Sequence, residues 1–224
     1  GLERERIGRF ILGTILGLVT YTTFIGTLGS AREMGLRPEL VTSPILLFHV
    51  ALVVWFIRRS RFPLAFFGLT LHRWPARAME AIIWSLPILA LSVVLKAILV
   101  GGTDTPLLAA WPGSPGGVSY PPGYLAIYLA FVPAQELIFR GFLQSCLRSF
   151  FVSRHRAIEA NLATNLVFFV THLHLSVPLG IAAFVAGLVW GQLYERQNSL
   201  VGVSVAHALV GFWSFAVLGL PGFY

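Results

Sequence analysis

Three hydrophobic segments of the sequence carry polar groups of the kinds that handle water and protons. The first, VPAQELIFRGFLQ, contains an amide, a carboxylate and a guanidinium, at Gln135, Glu136 and Arg140. Glu136 and Arg140 are four residues apart, so on a helix they share a face and can form an ion pair. Gln135 points about 100° away from Glu136, toward a different neighbour. Because Pro133 lacks a backbone N–H, we expect a kink or opening just before Gln135.

The second and third segments each place polar residues along one helix face. In NLATNLVFFVTH the spacing is four, three and four residues, for Asn161, Asn165, Phe168 and His172. In GVSVAHALVGFWSF the aligned positions are Ser204, His207, Gly211 and Ser214. A polar stripe on an apolar helix is expected to face protein or water rather than lipid.

Together these side chains suit two kinds of hydrolytic chemistry. A carboxylate, an amide and two imidazoles can activate a water molecule and stabilise an oxyanion. Glu136, His172 and His207 also form a common catalytic zinc set, although the sequence has no HExxH motif. Each group alone has a structural explanation, as a self-neutralised ion pair or a hydrogen-bonded buried histidine.

The composition indicates that a membrane positions these groups. The 224 residues have a mean hydropathy of +0.79 and only 11% charged side chains, far below the usual share in soluble domains. Seven apolar segments are near the length that crosses a bilayer core of about 30 Å. They are roughly 8–30, 40–57, 78–100, 122–147, 156–175, 178–194 and 200–220. The predicted fold is therefore all-α, a polytopic membrane protein of about seven transmembrane helices.

We assign residues 1–224 to a single integral-membrane domain, because the sequence contains no linker other than the Gly/Pro-rich loop between the third and fourth apolar segments. The first apolar segment reads as an uncleaved helix rather than a signal peptide. The basic and aromatic residues 58–78 predict a segment lying in the membrane interface between the second and third helices. The pattern GLVWG, with Gly187 and Gly191, favours close approach of another helix.

The basic residues predict the orientation. With the N-terminus inside, the inner segments collect Arg4, Arg6, Arg9, Arg58, Arg59, Arg61, Arg73, Arg77, Arg148, Arg154, Arg156 and Arg196, and the outer ones only Arg32 and Arg37. The net charge of +7 therefore reflects membrane topology rather than nucleic-acid binding. His172 is expected near the outer end of its helix, whereas Gln135 and His207 lie deeper, so a tilt or a shifted boundary must compensate.

The segments QELIFRGFL, FFVTH and AHALVGF, in this order on successive apolar helices, resemble the motifs EExxxR, FxxxH and HxxxN. These motifs are those of the CPBP family of intramembrane proteases, the CAAX-protease and bacteriocin-processing (Abi) family with its Rce1-type prenyl-protein endopeptidases. The resemblance covers about residues 78–220. It matches Glu136 to the second glutamate, and it matches the motif arginine, phenylalanine and histidines to Arg140, Phe168, His172 and His207.

The sequence departs from the family pattern at two positions, with Gln135 at the first glutamate and Gly211 at the asparagine. The resemblance implies that the first glutamate and the second-motif histidine activate water, and that the third-motif histidine and asparagine stabilise the oxyanion. An amide cannot act as the general base. Three explanations are open: a deliberate inactivating replacement, a natural pseudoprotease, or a subfamily in which Glu136 is the base.

We therefore predict an intramembrane endopeptidase of glutamic type that cleaves membrane-anchored substrates when position 135 is glutamate. With Gln135 it is expected to be catalytically inactive. Its catalytic positions are Gln135 (in place of Glu), Glu136, His172 and His207. The supporting positions are Arg140, Phe168, Asn165 and Gly211. No metal or other cofactor is required. Gln135 is expected to face His172.

The alternatives are a zinc metalloprotease using Glu136, His172 and His207, and a non-catalytic pseudoprotease or membrane binding protein. The partners are a membrane-anchored protein or peptide substrate and the lipid bilayer. The substrate could be a prenylated protein, a bacteriocin or a C-terminal sorting signal. All basic residues except Lys96 are arginine, which favours a bacterial inner membrane, with the N-terminus cytoplasmic. The sequence does not predict the oligomeric state.

Overall fold

The computed structural model describes residues 35, 38–104, 106–108, 122–173 and 176–219, and these residues form helices and short connections. The α-helices are α1 (Pro38–Arg59), α2 (Trp74–Val100), α3 (Pro122–Glu136), α4 (Ser145–Phe150), α5 (Arg156–His172), α6 (Val177–Gln197) and α7 (Leu200–Phe212). Three other helical segments complete the order: the 3₁₀ turn Leu64–Phe67 and the π-helical segments Leu137–Gln144 and Trp213–Val217.

Four of these helical stretches are long and apolar enough to cross a membrane, so the chain is an integral membrane protein. They are Trp74–Val100, Ala126–Phe150, Val177–Gln197 and Leu200–Val217. The prediction of seven spans is confirmed for these four. Helices α1 and α5 exist where they were predicted but are not among the four, and the predicted helix at 8–30 lies outside the described residues.

Helix α5 is shorter than a bilayer core. Its 17 residues span about 25 Å, against a core of about 30 Å. Because α5 ends at His172, that side chain need not reach the outer surface. The predicted boundary at residue 175 is therefore shifted to His172, while the relative depth of His172 and His207 in the bilayer stays a prediction.

The chain divides into two compact units, Gly1–His49 and Val50–Tyr224. Every predicted site residue belongs to the second unit. Within that unit α5 packs along α6, and α2 packs along α7. Helix α7 also contacts α3 and α6, so three helices converge on the residues that follow Leu200. The assignment of one domain to the whole chain stays a prediction.

Burial in the second unit is inverted relative to a soluble protein. Glu136, Arg140 and Gln144 are completely buried, whereas Leu86 and Ile98 on α2 are 54% and 71% exposed. Lipid solvates apolar side chains but offers no partners to polar ones, so the polar groups collect inside the helix bundle.

The connecting segment between α1 and α2 is tied to the turn between α6 and α7. The Leu200 N–H donates to the Gly68 carbonyl at 2.9 Å, and Asn198 Nδ2 donates to the Ala65 carbonyl at 2.8 Å. Gly68 has a φ of 70°, and a Cβ there would lie 2.6 Å from the Tyr194 ring, so the turn requires glycine. The predicted interfacial location agrees with the exposure of Phe62, Leu64, Leu71 and Trp74.

The helix irregularity occurs after Glu136 rather than before Gln135, where it was predicted. Helix α3 continues through Pro133 to Glu136, and residues 137–144 are then π-helical. Transmembrane helices tolerate proline because neighbouring groups satisfy the freed carbonyl. Within the π segment the Arg140 carbonyl accepts a hydrogen bond from Ser145 Oγ at 3.3 Å. Such π segments are frequent at functional sites.

Candidate active site

Glu136 holds two basic partners at the centre of the second unit. Its Oε1 lies 2.7 Å from Nδ1 of His207, and its Oε2 lies 3.4 Å from Nε of Arg140. The side chains of Glu136 and Arg140 are fully buried, and that of His207 is 7% exposed. The predicted pair Glu136–Arg140 is therefore confirmed, and His207 joins it from α7.

Arg140 connects this pair to α5 and α6. One terminal nitrogen, Nη2, donates to Asn165 Oδ1 at 3.0 Å and to the Gly187 carbonyl at 3.2 Å. The guanidinium also lies 5.4 Å from the centroid of the Phe168 ring. A planar group with several donors can serve these partners at once, which lysine could not.

The two asparagines of α5 fit against the two glycines of α6. Asn161 Nδ2 donates to the Leu188 carbonyl at 2.9 Å, and Asn165 Nδ2 donates to the Asn161 carbonyl at 2.8 Å. A Cβ built at Gly187 or Gly191 would collide with the amide of Asn165 or Asn161. The GLVWG pattern thus makes the close helix approach that its spacing predicts.

Phe168 lies between the two histidines of the site. Its ring centroid is 4.4 Å from that of His172 and 6.0 Å from that of His207, both in edge-on geometry. Phe168 is 1% exposed, so the ring is a fixed spacer. The motifs FFVTH and AHALVGF therefore meet through this phenylalanine.

A backbone hydrogen bond orients the His172 ring. Nδ1 lies 2.8 Å from the Phe168 carbonyl, one helical turn earlier. A carbonyl oxygen only accepts, so this bond requires the proton on Nδ1. In the neutral imidazole the lone pair is then on Nε2, which is the nitrogen able to accept a proton. His172 is half-buried at the end of α5.

Two aromatic residues belong to the site although the sequence did not single them out. Trp190 stacks on His207, with ring centroids 4.3 Å apart and planes 20° from parallel. Tyr128 donates from its hydroxyl to the His207 carbonyl at 3.3 Å. The available signals were Trp190 inside GLVWG and Tyr128 seven residues before Gln135, on the same face of an ideal helix.

Gln135 is half-buried, next to the fully buried Glu136. That it faces His172 stays a prediction. The zinc alternative gains no support, because the described part of the chain contains no group of three or more His, Cys, Asp or Glu side chains able to hold a metal. Nδ1 of His207 is directed at Glu136 rather than at a shared ligand position.

A comparison with protein families identifies the class of protein. Residues 117–213 match the family described as type II CAAX prenyl endopeptidase Rce1-like. This range, narrower than the 78–220 predicted from the motifs, contains all three of them. The chain therefore carries a domain of the Rce1-like CAAX protease family. Such a family implies peptide substrates. No curated protein and no solved structure matches the chain.

Proposed function

We propose that this chain has the active site of an intramembrane endopeptidase of glutamic type, in which a glutamate at position 135 would be the base. We also propose that Gln135 leaves the chain catalytically silent. The supporting observation is that Glu136, the other carboxylate position of the motif, already has two basic partners. Its two oxygens already face His207 at 2.7 Å and Arg140 at 3.4 Å in a fully buried position.

Glu136 is poorly suited to accept a proton from water. Protonating it would leave Arg140 buried without its counter-charge, which is costly inside a helix bundle. Its bond to Nδ1 instead orients the His207 ring and stabilises the positive charge of the doubly protonated ring, as a carboxylate does behind a catalytic histidine. Glu136 is therefore a positioning residue, and we assign the base to position 135, with His172 Nε2 holding the water.

With glutamate at position 135, the reaction follows from these roles. The carboxylate takes a proton from water while His172 Nε2 holds that water, and the oxygen attacks the peptide carbonyl carbon. The C=O electron pair moves to oxygen, which accepts a hydrogen bond from Nε2–H of His207 in its doubly protonated form, since Nδ1 already donates to Glu136. The carboxylic acid then returns its proton to the leaving nitrogen as the C–N bond breaks. The C=O bond re-forms as the leaving nitrogen departs. With an amide at position 135, the carboxylate that receives this proton and returns it to the leaving nitrogen is missing.

The test restores the carboxylate. We expect Gln135→Glu in detergent or liposomes to cleave a membrane-anchored, fluorescence-quenched peptide, with product masses that identify the cut bond. The parent chain should show no cleavage, since losing a general base costs about 100- to 10,000-fold in rate. Adding His172→Ala to Gln135→Glu should abolish the gain.

The matched control is Gln192→Glu, an equal change at an exposed position of α6, which should not create activity. No cleavage by Gln135→Glu over a panel of prenylated, bacteriocin-like and C-terminal signal peptides would contradict the peptidase proposal. Such a result would favour the second candidate, a pseudoprotease that binds its partner unchanged, which the amide at position 135 itself suggests.

A further inference from the structure

Position 211 lies one helical turn after His207 and carries no side chain, yet the space beside it is filled. A Cβ built at Gly211 would collide with the hydroxyl of Tyr128 and would lie 2.6 Å from Cζ of the same ring. The phenol of Tyr128, contributed by α3, thus occupies the volume that a side chain at position 211 would take.

The Tyr128 hydroxyl also contacts His207, the residue that carries the other proposed donor. It donates to the His207 carbonyl at 3.3 Å, and the two rings lie 6.3 Å apart. That hydrogen bond is long for an O–H donor, whose usual distance is about 2.7–2.8 Å. Because the hydroxyl hydrogen rotates about the Cζ–Oη bond, it can turn toward a stronger acceptor at small cost.

We propose that Tyr128 is the second oxyanion donor of this site, paired with Nε2 of His207. An oxyanion in a buried site is stabilised best by more than one preorganised donor, and tyrosine hydroxyls serve in this way. The hydroxyl donates a hydrogen bond to the developing oxyanion and keeps its proton throughout. Gly211 then has a defined role, because only glycine leaves room for the phenol.

This proposal rests on the proposed peptidase function, and kinetics provide its first test. In the Gln135→Glu background, Tyr128→Phe removes only the hydroxyl. It should lower kcat about 100-fold with little change in KM, because the hydrogen bond is made mainly in the transition state. Tyr194→Phe is the matched control. It removes a buried hydroxyl that bonds Ser145 at 2.9 Å outside the site, and it should leave kcat unchanged.

A pair of substitutions at positions 128 and 211 distinguishes hydrogen-bond donation by Tyr128 from its packing. Tyr128→Ala removes the phenol, and adding Gly211→Asn supplies an amide donor from α7 in the vacated space. The double variant should recover at least about tenfold of the kcat lost in Tyr128→Ala, since one oxyanion donor is worth more than that. Equal kcat for Tyr128→Phe and its parent, or no recovery in the double variant, would overturn the role of Tyr128.

A binding measurement tests the donor without turnover. A lipid-anchored peptidyl trifluoromethyl ketone hydrates to a tetrahedral diol, and its Kd for the Gln135 chain should rise about tenfold or more in Tyr128→Phe and not in Tyr194→Phe. If Tyr128→Phe weakens binding while Gln135→Glu shows no cleavage, Tyr128 is supported as the oxyanion donor and the assignment of the base to position 135 is wrong. Equal binding by Tyr128→Phe, or no binding to the parent chain, overturns the Tyr128 proposal.

Discussion

Arg140 is the residue on which the buried polar cluster depends. It is completely buried, pairs with Glu136 and donates to both α5 and α6. A buried ion pair adds little net stability, because desolvation offsets the attraction, but removing one partner leaves an uncompensated charge. Arg140 therefore fixes which helices meet rather than simply strengthening the fold.

Arg140→Ala should lower the free energy of unfolding by about 3–5 kcal/mol, measured by denaturant titration in micelles. The control is Arg196→Ala. Its partner is Glu80, the side chains are 64% and 28% exposed, and the expected loss is about 0–1 kcal/mol. Replacing Glu136 and Arg140 together by leucine should cost less than Arg140→Ala, since no unpaired charge remains. Equal losses for Arg140→Ala and Arg196→Ala would contradict this account.

The residues that the sequence identified are those whose chemistry is costly in lipid. Glu136, Arg140, Asn165 and His207 stand out in apolar helices, and the structure brings all of them together. Trp190 and Tyr128 were missed because aromatic residues are common in membrane helices and carry no such signal. Their roles depend on which helices are neighbours, and the helical period along one segment does not contain that information.

At the scale of the elements, hydropathy placed the helices well because lipid makes helix formation obligatory for an apolar segment. The π segment at residues 137–144 was not predicted. No local pattern marks it, since we attribute it to the partners that Arg140 and Gln144 find on α6. Gln144 Nε2 donates to the Gly191 carbonyl at 3.0 Å and to Glu195 at 2.9 Å, contacts that hold the end of the π segment.

The contact between α5 and α6 gives a test of helix packing. Gly191→Ala should destabilise the fold by about 1–3 kcal/mol, because the added methyl group collides with the Asn161 amide. Asn161→Ala removes that amide and loses its bond to the Leu188 carbonyl. Since the collision disappears in the double variant, its loss should be smaller than the sum of the two single losses.

Gly180→Ala on the same helix is the control for this cycle. Among the residues that the structure describes, the three atoms nearest to a Cβ there belong to the side chains of Leu173 and Phe169, at 3.1–3.2 Å, and these can shift. Gly180→Ala should therefore show no coupling to Asn161→Ala in unfolding measurements. If the losses of Gly191→Ala and Asn161→Ala simply add in the double variant, Gly191 is not required to make room for the Asn161 amide.

At the scale of the second unit, the connections predicted to face the cytoplasm lie at one end of the bundle. The segment after α1 bonds to the α6–α7 turn through Asn198 and Leu200. Arg148, which precedes the α4–α5 connection, pairs with Glu195 at 2.8 Å. These contacts agree with the arginine distribution, which places the three connections on the same side of the membrane. Only the arginine distribution predicts that this side is the cytoplasmic one.

Labelling of single cysteines tests the orientation. With Cys146→Ser as background, Asp104→Cys lies in the connection after α2, and Arg154→Cys lies in the exposed connection between α4 and α5. A membrane-impermeant maleimide added to intact bacterial cells expressing the chain should label Asp104→Cys and spare Arg154→Cys, because arginine-rich connections are retained inside. Permeabilised cells should label both, which controls for the reactivity of each thiol. The reverse pattern in intact cells would invert the topology and place Arg148, Arg154, Arg156 and Arg196 outside, against the charge rule that predicted them inside.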